Sequence, residues 1–327
     1  MKAVQINSYG GAEVLEVVKD FPKPTAGVGQ VLVEIKAASI NPFDWKLCAG
    51  FAKDYLPLEF PVTMGGDFAG VVTEVGEDVS DLSAGRQGFK VGDEIYGQAA
   101  SYGGGSGSFA EFATAAVVKI AKKPKNIDFV QAASLPLVGM SALQALETHI
   151  GLKANQKILI HGGAGGIGSI AVQIAKALGA YVATTVSGDD LEYARALGAD
   201  EVIDYKQSFS ANQKEDFSKK ISGFDAVFDT VGGETLDKSF LVLKKGGIIV
   251  SMMGEPSATL AKKYDVIVVG QMTDGTTERL KRLADLVDSG KVKPQVDRVF
   301  KFDKIREAFT YQEAGHPRGK VVLEIWA

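Results

Sequence analysis

The pattern of hydrophobic positions changes near Asn126. Before this point, short apolar segments are separated by Gly, Pro and Asp, as in VLVEIKAASI, GDFAGVVTEV, VGDEIYG and SFAEFATAAVVKI. Short apolar runs bounded by turn residues are typical of β-strands. The polar segment SDLSAGRQGFK between them predicts an exposed loop. We therefore predict a mainly β domain in the first part of the chain.

After Asn126, strand-like and helix-like segments alternate. Strands are predicted in KILIHGG, AYVATTVS, EVIDY, FDAVFDTVGG, GGIIVSM and KYDVIVVG. Their runs of Val and Ile do not alternate with polar residues, which predicts a parallel sheet buried on both faces. Helices are predicted at about 167–178, 192–197 and 234–243. The repetition predicts right-handed crossovers and an α/β, doubly wound fold.

Composition and charge restrict the function classes. Apolar residues make up 46% of the 327 residues and charged residues 23%, which is typical of a globular protein. The net charge is −4 with no basic block, so nucleic acid is disfavoured as the main partner. Cys48 is the only cysteine, so the chain cannot form an internal disulfide. We find neither a signal-peptide pattern nor a membrane-spanning run and expect a cytosolic protein without a membrane partner.

The segment KILIHGGAGGIGSIAVQIAKALG contains the motif G-x-G-x-x-G at Gly163, Gly165 and Gly168. The motif follows an apolar strand, precedes an apolar-faced helix, and is followed by a second strand, as in a dinucleotide-binding unit. In such a unit the first glycine permits the turn, and the second lets the backbone approach a pyrophosphate. The third lets the helix pack on the strand. The alternative is a glycine-rich turn that binds nothing.

The end of the second strand bears on the choice of cofactor. NAD-binding forms usually have a carboxylate there for the ribose hydroxyls, whereas this strand ends in TTVS. We therefore predict NADPH, with Ser187 as a donor to the 2′-phosphate, and NADH as a possible second cofactor. Asp189 and Asp190 follow closely and are expected to face solvent, with Arg195 as one possible counter-charge. The alternative role of Ser187 is a helix N-cap.

The full length of the chain resembles a known family. The resemblance rests on EIKAASINPFDWKLCAG, GGDFAGVV, KVGDEIYG, SFAEFA, AASLPLVGMSALQAL, the glycine-rich loop, RALGADEVIDY, FDAVFDTVGG and GHPRGKVVL. These segments resemble the zinc-independent medium-chain dehydrogenase/reductases, the group of quinone oxidoreductases and enone oxidoreductases. The resemblance implies a GroES-like domain at 1–124 and 295–327, a Rossmann domain at 125–294, and an active-site cleft between them. It also implies a homodimer formed through edge strands near GGIIVSMM.

The resemblance also bears on metal binding. A zinc-dependent relative has Cys where Asn41 stands and His where Gly66 stands. A closed zinc site needs four nitrogen or sulfur ligands and a catalytic site three. The chain offers one Cys and three His with no metal-ligand spacing: His149 at a helix end, His161 at a strand end and His316 in a terminal turn. We predict no zinc.

The catalytic candidates implied by the resemblance lie in NPFDWK and YLPLEFP. Asn41 is a candidate donor to a substrate carbonyl, and Asp44 and Lys46 are candidates for an ion pair or a proton path. Tyr55 matches a tyrosine that relatives have near the substrate and is a candidate hydrogen-bond or proton donor. The alternatives are an Asn-Pro turn, a helix cap at Asp44, and a pocket wall at Tyr55.

The resemblance further implies a set of cofactor-binding positions. They are Ser141, Gly162, Gly163, Gly165, Gly166, Ile167, Ser187, Tyr205, Val231, Met253, Gly254, Arg318 and Lys320. Tyr205 is expected beside the 2′-phosphate and adenine, or is simply an aromatic residue at a strand end. Arg318 and Lys320 are expected near the pyrophosphate or the nicotinamide, or in surface pairs. A basic residue frequent in relatives shortly after Ser187 is missing here.

These expectations combine into one predicted function with two alternatives. The prediction is NADPH-dependent, zinc-independent reduction of a quinone, or of the C=C bond of an α,β-unsaturated carbonyl compound, by hydride transfer. The first alternative is a non-catalytic or regulatory NADPH-binding protein. The second is zinc-independent interconversion of alcohols and aldehydes.

Overall fold

The computed structural model describes residues 1–79, 88–208, 217–315 and 317–326. Within these ranges the strands are β1 (Ala3–Ile6), β2 (Glu16–Val18), β3 (Gln30–Ile40), β4 (Val62–Thr63), β5 (Asp67–Val75), β6 (Glu94–Gln98), β7 (Phe112–Ala116), β8 (Ile120–Lys122), β9 (Lys157–His161), β10 (Tyr181–Val186), β11 (Glu201–Asp204), β12 (Phe224–Asp229), β13 (Leu243–Ser251), β14 (Ile267–Gly270), β15 (Val296–Lys301) and β16 (Lys320–Glu324). The helices are α1 (Pro42–Cys48), α2 (Phe129–Ala133), α3 (Pro136–Leu143), α4 (Gly166–Ala177), α5 (Leu191–Ala196), α6 (Tyr205–Ser208), α7 (Phe217–Lys220), α8 (Gly233–Ser239), α9 (Ala258–Tyr264), α10 (Thr277–Asp288) and α11 (Ile305–Glu313). Most of the predicted loop SDLSAGRQGFK lies outside the described residues, as does His316.

The chain folds into two compact units. The first comprises Met1–Leu137, Gly275–Asp288 and Pro294–Ala327, and the second comprises Val138–Asp274 and Ser289–Lys293. None of the described helices is long and apolar enough to cross a membrane.

The second unit contains a six-stranded sheet in the order β11-β10-β9-β12-β13-β14, and all its strand pairs are parallel. This order is that of the dinucleotide-binding doubly wound fold. Leu159 of β9, Val227 of β12 and Ile249 of β13 are fully buried, as expected for strands covered on both faces. The sheet confirms the predicted α/β fold class.

The first unit is built on a mostly antiparallel sheet in the order β15-β16-β3-β5-β6-β8, with β7 also paired to β3. A separate three-stranded sheet has the order β2-β1-β4. The C-terminal strand β16 pairs antiparallel with β3, with Val321 opposite Ile40. The end of the chain is therefore part of the same sheet as its beginning, which sets Lys320 beside Asn41.

The first unit extends further along the chain than the predicted domain of 1–124 and 295–327. It includes α2 and also α10, which lies far from the rest of the unit in sequence. Tyr96 donates a hydrogen bond from its buried hydroxyl to the carbonyl of Leu280, and Thr277 donates to the carbonyl of Ile120 at 2.9 Å. Because these long-range bonds join α10 to β6 and β8, hydrophobic periodicity along the chain gave no sign of them.

One predicted helix differs from the structure. The helix predicted at about 234–243 is α8, which ends at Ser239. Leu243 instead begins β13 and lies opposite Phe224 in the parallel sheet. Pairing in the sheet decides the conformation of Leu243, which the helical spacing of apolar residues had suggested was helical.

Candidate functional site

The glycine-rich loop connects β9 to α4 at the carboxyl edge of the parallel sheet. Gly162 has a φ of +75°, which a residue with a side chain rarely adopts, and this allows the turn out of β9. Gly165 is the N-cap residue of α4. The first amides of a helix have no partner within the helix, so they point away from its N-terminus.

Side chains built onto these glycines show which ones the fold itself requires. A Cβ at Gly163 would lie 2.1 Å from Thr184 Oγ1, and a Cβ at Gly168 would lie 2.1 Å from the carbonyl oxygen of Gly162. At Gly165 the one nearby atom within the described part of the chain is the Gly162 carbonyl oxygen, at 3.4 Å. The backbone of Gly165 is also extended, with φ −76°, so neither packing nor conformation requires glycine there.

The space over Gly165 lies at the N-terminus of a twelve-residue helix. Helix N-termini attract phosphate because their amide groups and the helix dipole both favour negative charge. The loop therefore fits the pyrophosphate of a dinucleotide, which Gly162, Gly163, Gly165, Gly166 and Ile167 would contact.

His161 lies at the end of β9, where the sequence predicts it. Its ring nitrogens are 3.0 Å from Thr185 Oγ1 and 2.9 Å from Ser239 Oγ. Burial lowers its pKa to about 4, with Asp229 opposing the shift, so the ring is neutral near neutral pH. His161 therefore joins β9, β10 and α8 as a buried structural residue.

The loops after β12 and β13 contain predicted cofactor positions. Val231 and Met253 are about half exposed, and Gly254 has a φ of +118°. The buried carboxylate of Asp229 accepts hydrogen bonds from the amides of Val231 and Gly232 and from the Ser251 hydroxyl. Asp229 thus shapes both loops, although sequence reasoning gave it no role.

Ser141 lies in α3 and is fully buried. Its hydroxyl is 2.7 Å from Thr273 Oγ1, and its carbonyl accepts a hydrogen bond from the Gln271 side chain at 2.9 Å. These bonds join α3 to the chain after β14. His149 ends the π-helical turn Gln144–His149 and hydrogen-bonds the Gln144 side chain, so it lies at a helix end as predicted.

The structure corrects the expectation for one of the two carboxylates after β10. Asp189 is exposed, but Asp190 accepts a hydrogen bond from the Ser187 hydroxyl at 2.6 Å. Ser187 occupies the N-cap position of the turn Gly188–Asp190 without a side-chain cap bond to the backbone. Asp190 is therefore turned toward Ser187 rather than toward solvent. Arg195, the possible counter-charge, instead pairs with Glu192 on its own helix.

In the first unit, polar side chains from four elements form a hydrogen-bonded cluster around Asn41 and Asp67. Lys320 donates hydrogen bonds from Nζ to the Asn41 side-chain oxygen and, at 2.7 Å, to the Ile40 carbonyl. Asn41 donates from Nδ2 to Asp67 Oδ2 at 2.9 Å, and Gln98 donates to Asp67 Oδ1 at 3.0 Å. We call Asn41, Asp44, Asp67, Gln98 and Lys320 the buried charge cluster.

Asp44 is a carboxyl of the buried charge cluster whose pKa is raised to about 7. Its Oδ2 accepts a hydrogen bond from the Asn41 amide at 2.7 Å at the start of α1. Burial raises the pKa of Asp44 to about 7; the Asn41 bond and Lys320 oppose this shift and Asp67 adds to it. Burial also raises the pKa of Asp67 and lowers that of Lys320, and in both cases the attraction between the two groups opposes the shift.

Asp44 also lines a cleft within the first unit. Its apolar walls include Leu47, Leu58 and Met64, and the phenol of Tyr102 lies on it as well. Tyr102 is 47% exposed; its partial burial, together with the nearby Asp44 and Asp67, raises the pKa of its phenol above the ordinary value. Among the described residues the Tyr102 hydroxyl has no hydrogen-bond partner, and Asp44 and Tyr102 are two proton-bearing groups on the cleft.

Several predicted catalytic roles do not match this geometry. The Asp44–Lys46 ion pair is wrong, because residues two apart lie on different sides of a helix. Asp44 is buried, whereas Lys46 lies over the Trp45 ring. The Asn41 amide already donates to Asp67. The side chain of Tyr55 is 67% exposed in the segment after α1.

Of the two basic residues of GHPRGK, Lys320 differs from the expectation of a surface pair and Arg318 does not. Lys320 is 4% exposed and its ammonium bonds within the buried charge cluster, so the alternative of a surface pair is wrong for it. Arg318 is exposed, and its amide donates to Asp297. Asp67, Gln98 and Tyr102 were missed by sequence reasoning; a lone Asp in the apolar segment GGDFAGVV was the one signal for Asp67.

The residues at the expected metal-ligand positions do not suit zinc. Asn41 and Gly66 provide neither thiolate nor imidazole, and an ammonium group lies beside the carboxylates of the cluster. Among the described residues, no group of three His, Cys, Asp or Glu side chains could hold a metal ion.

Known proteins resemble this chain over its whole length. Residues 27–125 match the family model of the alcohol dehydrogenase GroES-like domain, and residues 197–323 match that of the zinc-binding dehydrogenases. The chain is 35% identical to the chloroplast envelope quinone oxidoreductase homolog of Arabidopsis thaliana, over 99% of this chain and 98% of the relative. It is 37% identical to the NADPH-dependent alkenal/one oxidoreductase of the same plant, over 99% and 79% respectively. Among solved structures, Escherichia coli quinone oxidoreductase complexed with NADPH has a TM-score of 0.83 at 27% identity, covering 99% of this chain and 100% of that one.

The raised pKa of Asp44 predicts a pH-dependent stability. In the unfolded chain this carboxyl titrates near 3.8, and in the folded protein near 7. Between these values the unfolded state loses the proton first, so the free energy of unfolding falls as pH rises, by about 1.4 kcal/mol per unit. The variant Asp44→Asn lacks this loss and should gain up to about 4 kcal/mol on wild type between pH 4 and 7.

Urea unfolding of both proteins at several pH values across this window measures the difference. The amide of the variant still accepts the Asn41 hydrogen bond, so the comparison isolates the charge. Parallel pH dependences would show that Asp44 titrates as an ordinary carboxyl.

Proposed function

This chain belongs to the medium-chain dehydrogenase/reductase family, in the group of quinone and enone oxidoreductases, and we propose that it reduces such substrates with NADPH. The substrate is a quinone or an α,β-unsaturated carbonyl compound. The proposal is carried by one observation: the open space over Gly165 at the N-terminus of α4, which the protein's own packing does not need.

NADPH, when bound, supplies the hydride. Hydride addition to the β-carbon of an enone leaves two electrons on the substrate and a negative charge on its oxygen, and the reaction is completed by one proton. Asp44 is suited to give that proton, because its buried carboxyl has a pKa of about 7 and lines the cleft. Tyr102, whose pKa is raised, stays protonated and donates a hydrogen bond to the substrate oxygen.

The cleft is lined by Asp44 and Tyr102 together with apolar side chains, among them Leu47, Leu58 and Met64. Asp67, Gln98 and Lys320 do not line the cleft. They act as positioning residues. Asp67 and Lys320 hydrogen-bond the Asn41 side chain, Gln98 donates to Asp67, and the backbone amide of Asn41 donates to the Asp44 carboxyl.

NADPH is proposed in preference to NADH. The names of relatives support this choice, and so does Ser187 at the end of β10 where NAD-binding folds have a carboxylate. Asp190 opposes it, because its carboxylate holds the Ser187 hydroxyl.

The cytosolic location expected from the sequence is retained as a prediction that cell fractionation can check.

The first test combines cofactor binding with turnover. We expect wild type to oxidise NADPH with a panel of enones and quinones. NADPH at 100 times its dissociation constant should stabilise the folded protein by about 2.7 kcal/mol, which is measured as a thermal shift. Gly165→Val fills the phosphate space and should lose both the shift and the turnover. The control is Ala154→Ser, in an exposed loop. Gly151→Ala is unsuitable because the backbone of Gly151 has a φ of +61°.

Three outcomes would contradict the proposal. An undiminished thermal shift in Gly165→Val would show that the loop is not the phosphate site. Binding without turnover on any substrate would favour a regulatory NADPH-binding protein. Turnover restricted to saturated aldehydes or alcohols would favour the alcohol dehydrogenase alternative.

We also propose that catalysis is independent of zinc. Asn41 and Gly66 stand where zinc relatives have Cys and His, and the Lys320 ammonium is buried nearby. The purified protein is expected to contain far less than one zinc per chain and to keep its activity in a chelator. Elemental analysis and chelator-treated assays measure this, and stoichiometric zinc that is lost together with activity would overturn it.

A homodimer is proposed through β14. The segment GGIIVSMM, expected near the edge of the sheet, lies mainly in β13, which is flanked by β12 and β14. The edge strand is β14, whose Ile267 is 58% exposed, and Met272 follows it at 76%. An edge strand with exposed apolar side chains is a template for pairing with a second copy.

Light scattering after gel filtration measures this assembly. Wild type is expected to be dimeric, and Ile267→Lys should shift it toward monomer because the charge would be buried at the interface. Val118→Lys, at an exposed apolar residue of the other unit, should leave the mass unchanged. A monomeric wild type, or a dimeric Ile267→Lys, would contradict the proposal.

A further inference from the structure

The carboxyl ends of β10 and β11 lie side by side at the edge of the parallel sheet. Val186 is opposite Asp204 in the register, so Ser187 and Tyr205 each follow directly after paired residues. A Cβ at Gly188 would lie 2.7 Å from Asp204 Oδ2, so glycine at 188 permits this close approach. Residues that are distant in sequence thus lie together at one corner of the second unit.

Lys206 reaches across this corner. Its Nζ is 3.8 Å from Asp189 Oδ2, on the turn that follows β10. Its backbone amide donates to Asp204 Oδ1 at 2.9 Å, which fixes the chain from which the side chain extends. The side chains of Lys206 and Asp189 are 59% and 84% exposed, so the ion pair adds little to stability and is easily exchanged.

A 2′-phosphate at this corner would meet three carboxylates: Asp189, Asp190 and Asp204. Ser187 offers one hydroxyl, and that hydroxyl is engaged by Asp190. Recognition of a phosphate dianion in such a place needs a cation within reach. Among the described residues, Lys206 is a cation that contacts the turn after β10, whereas Arg195 pairs with Glu192.

We infer that Lys206 is the residue that selects NADPH, exchanging Asp189 for the 2′-phosphate when the cofactor binds. The inference rests on the proposed function and adds the source of its cofactor preference. The positive charge missing after β10 is supplied from the end of β11, by the residue that follows Tyr205. Asp189 competes for the same ammonium and therefore moderates NADPH affinity.

The experiment measures dissociation constants for NADPH and NADH by calorimetry, with 2′,5′-ADP and 5′-AMP as fragment probes. Lys206→Gln should weaken the binding of NADPH and of 2′,5′-ADP about tenfold, the equivalent of roughly 1.4 kcal/mol. NADH and 5′-AMP, which lack the phosphate, should change by less than about twofold. Asp189→Asn should tighten NADPH binding, because it removes the carboxylate that competes for the Lys206 ammonium.

The control is Lys262→Gln, an exposed lysine on α9, which precedes β14 at the opposite edge of the sheet. It removes the same charge from the same unit and should leave the dissociation constants of NADPH and NADH unchanged. Raising the salt concentration should weaken NADPH more in wild type than in Lys206→Gln.

Each outcome bears on one proposal or both. An unchanged NADPH constant in Lys206→Gln, or an equal loss for NADPH and NADH, overturns this inference while the proposed function stands. Binding of neither cofactor by the wild-type protein overturns both.

Discussion

Lys320 carries a charge into the interior of the first unit, and the surrounding residues are arranged to hold it. Its ammonium bonds the Ile40 carbonyl and the Asn41 side chain, about 280 positions earlier in the chain. A buried charge is costly unless it is paired and hydrogen-bonded. Pairing of β16 with β3 brings the ammonium to this point, and Asp67 and Asp44 lie close enough for their charges to act on it.

The same requirement links the fold to the chemistry. Strands β5 and β16, far apart in sequence, supply Asp67 and Lys320 to one amide side chain, Asn41, and Gln98 of β6 donates to Asp67. Asn41 in turn fixes the start of α1 through its bond to Asp44. The carboxyl with a pKa near neutrality is therefore held in place by the same residues that close the sheet.

The sequence predicted those features whose signal lies within one short segment of the chain. The glycine motif, the alternation of strands and helices, and the end of β10 at Ser187 are local patterns, and the parallel sheet confirmed the fold that they predicted. The buried charge cluster is not local, because strand pairing brings its members together. Lys320 was therefore assigned to the cofactor from its motif, and the i, i+2 spacing of Asp44 and Lys46 suggested a pair that the helix geometry forbids.

Hydride transfer from NADPH to carbon is the central claim, and isotope transfer tests it most directly. An enone is reduced in separate reactions with NADPH carrying deuterium on either face of nicotinamide C4, and the product is examined by mass spectrometry and NMR. We expect one of the two cofactors to deliver deuterium to the β-carbon of the saturated product, with the α-hydrogen coming from solvent. Reduced product without deuterium from either cofactor, or no reduced product, would contradict the account.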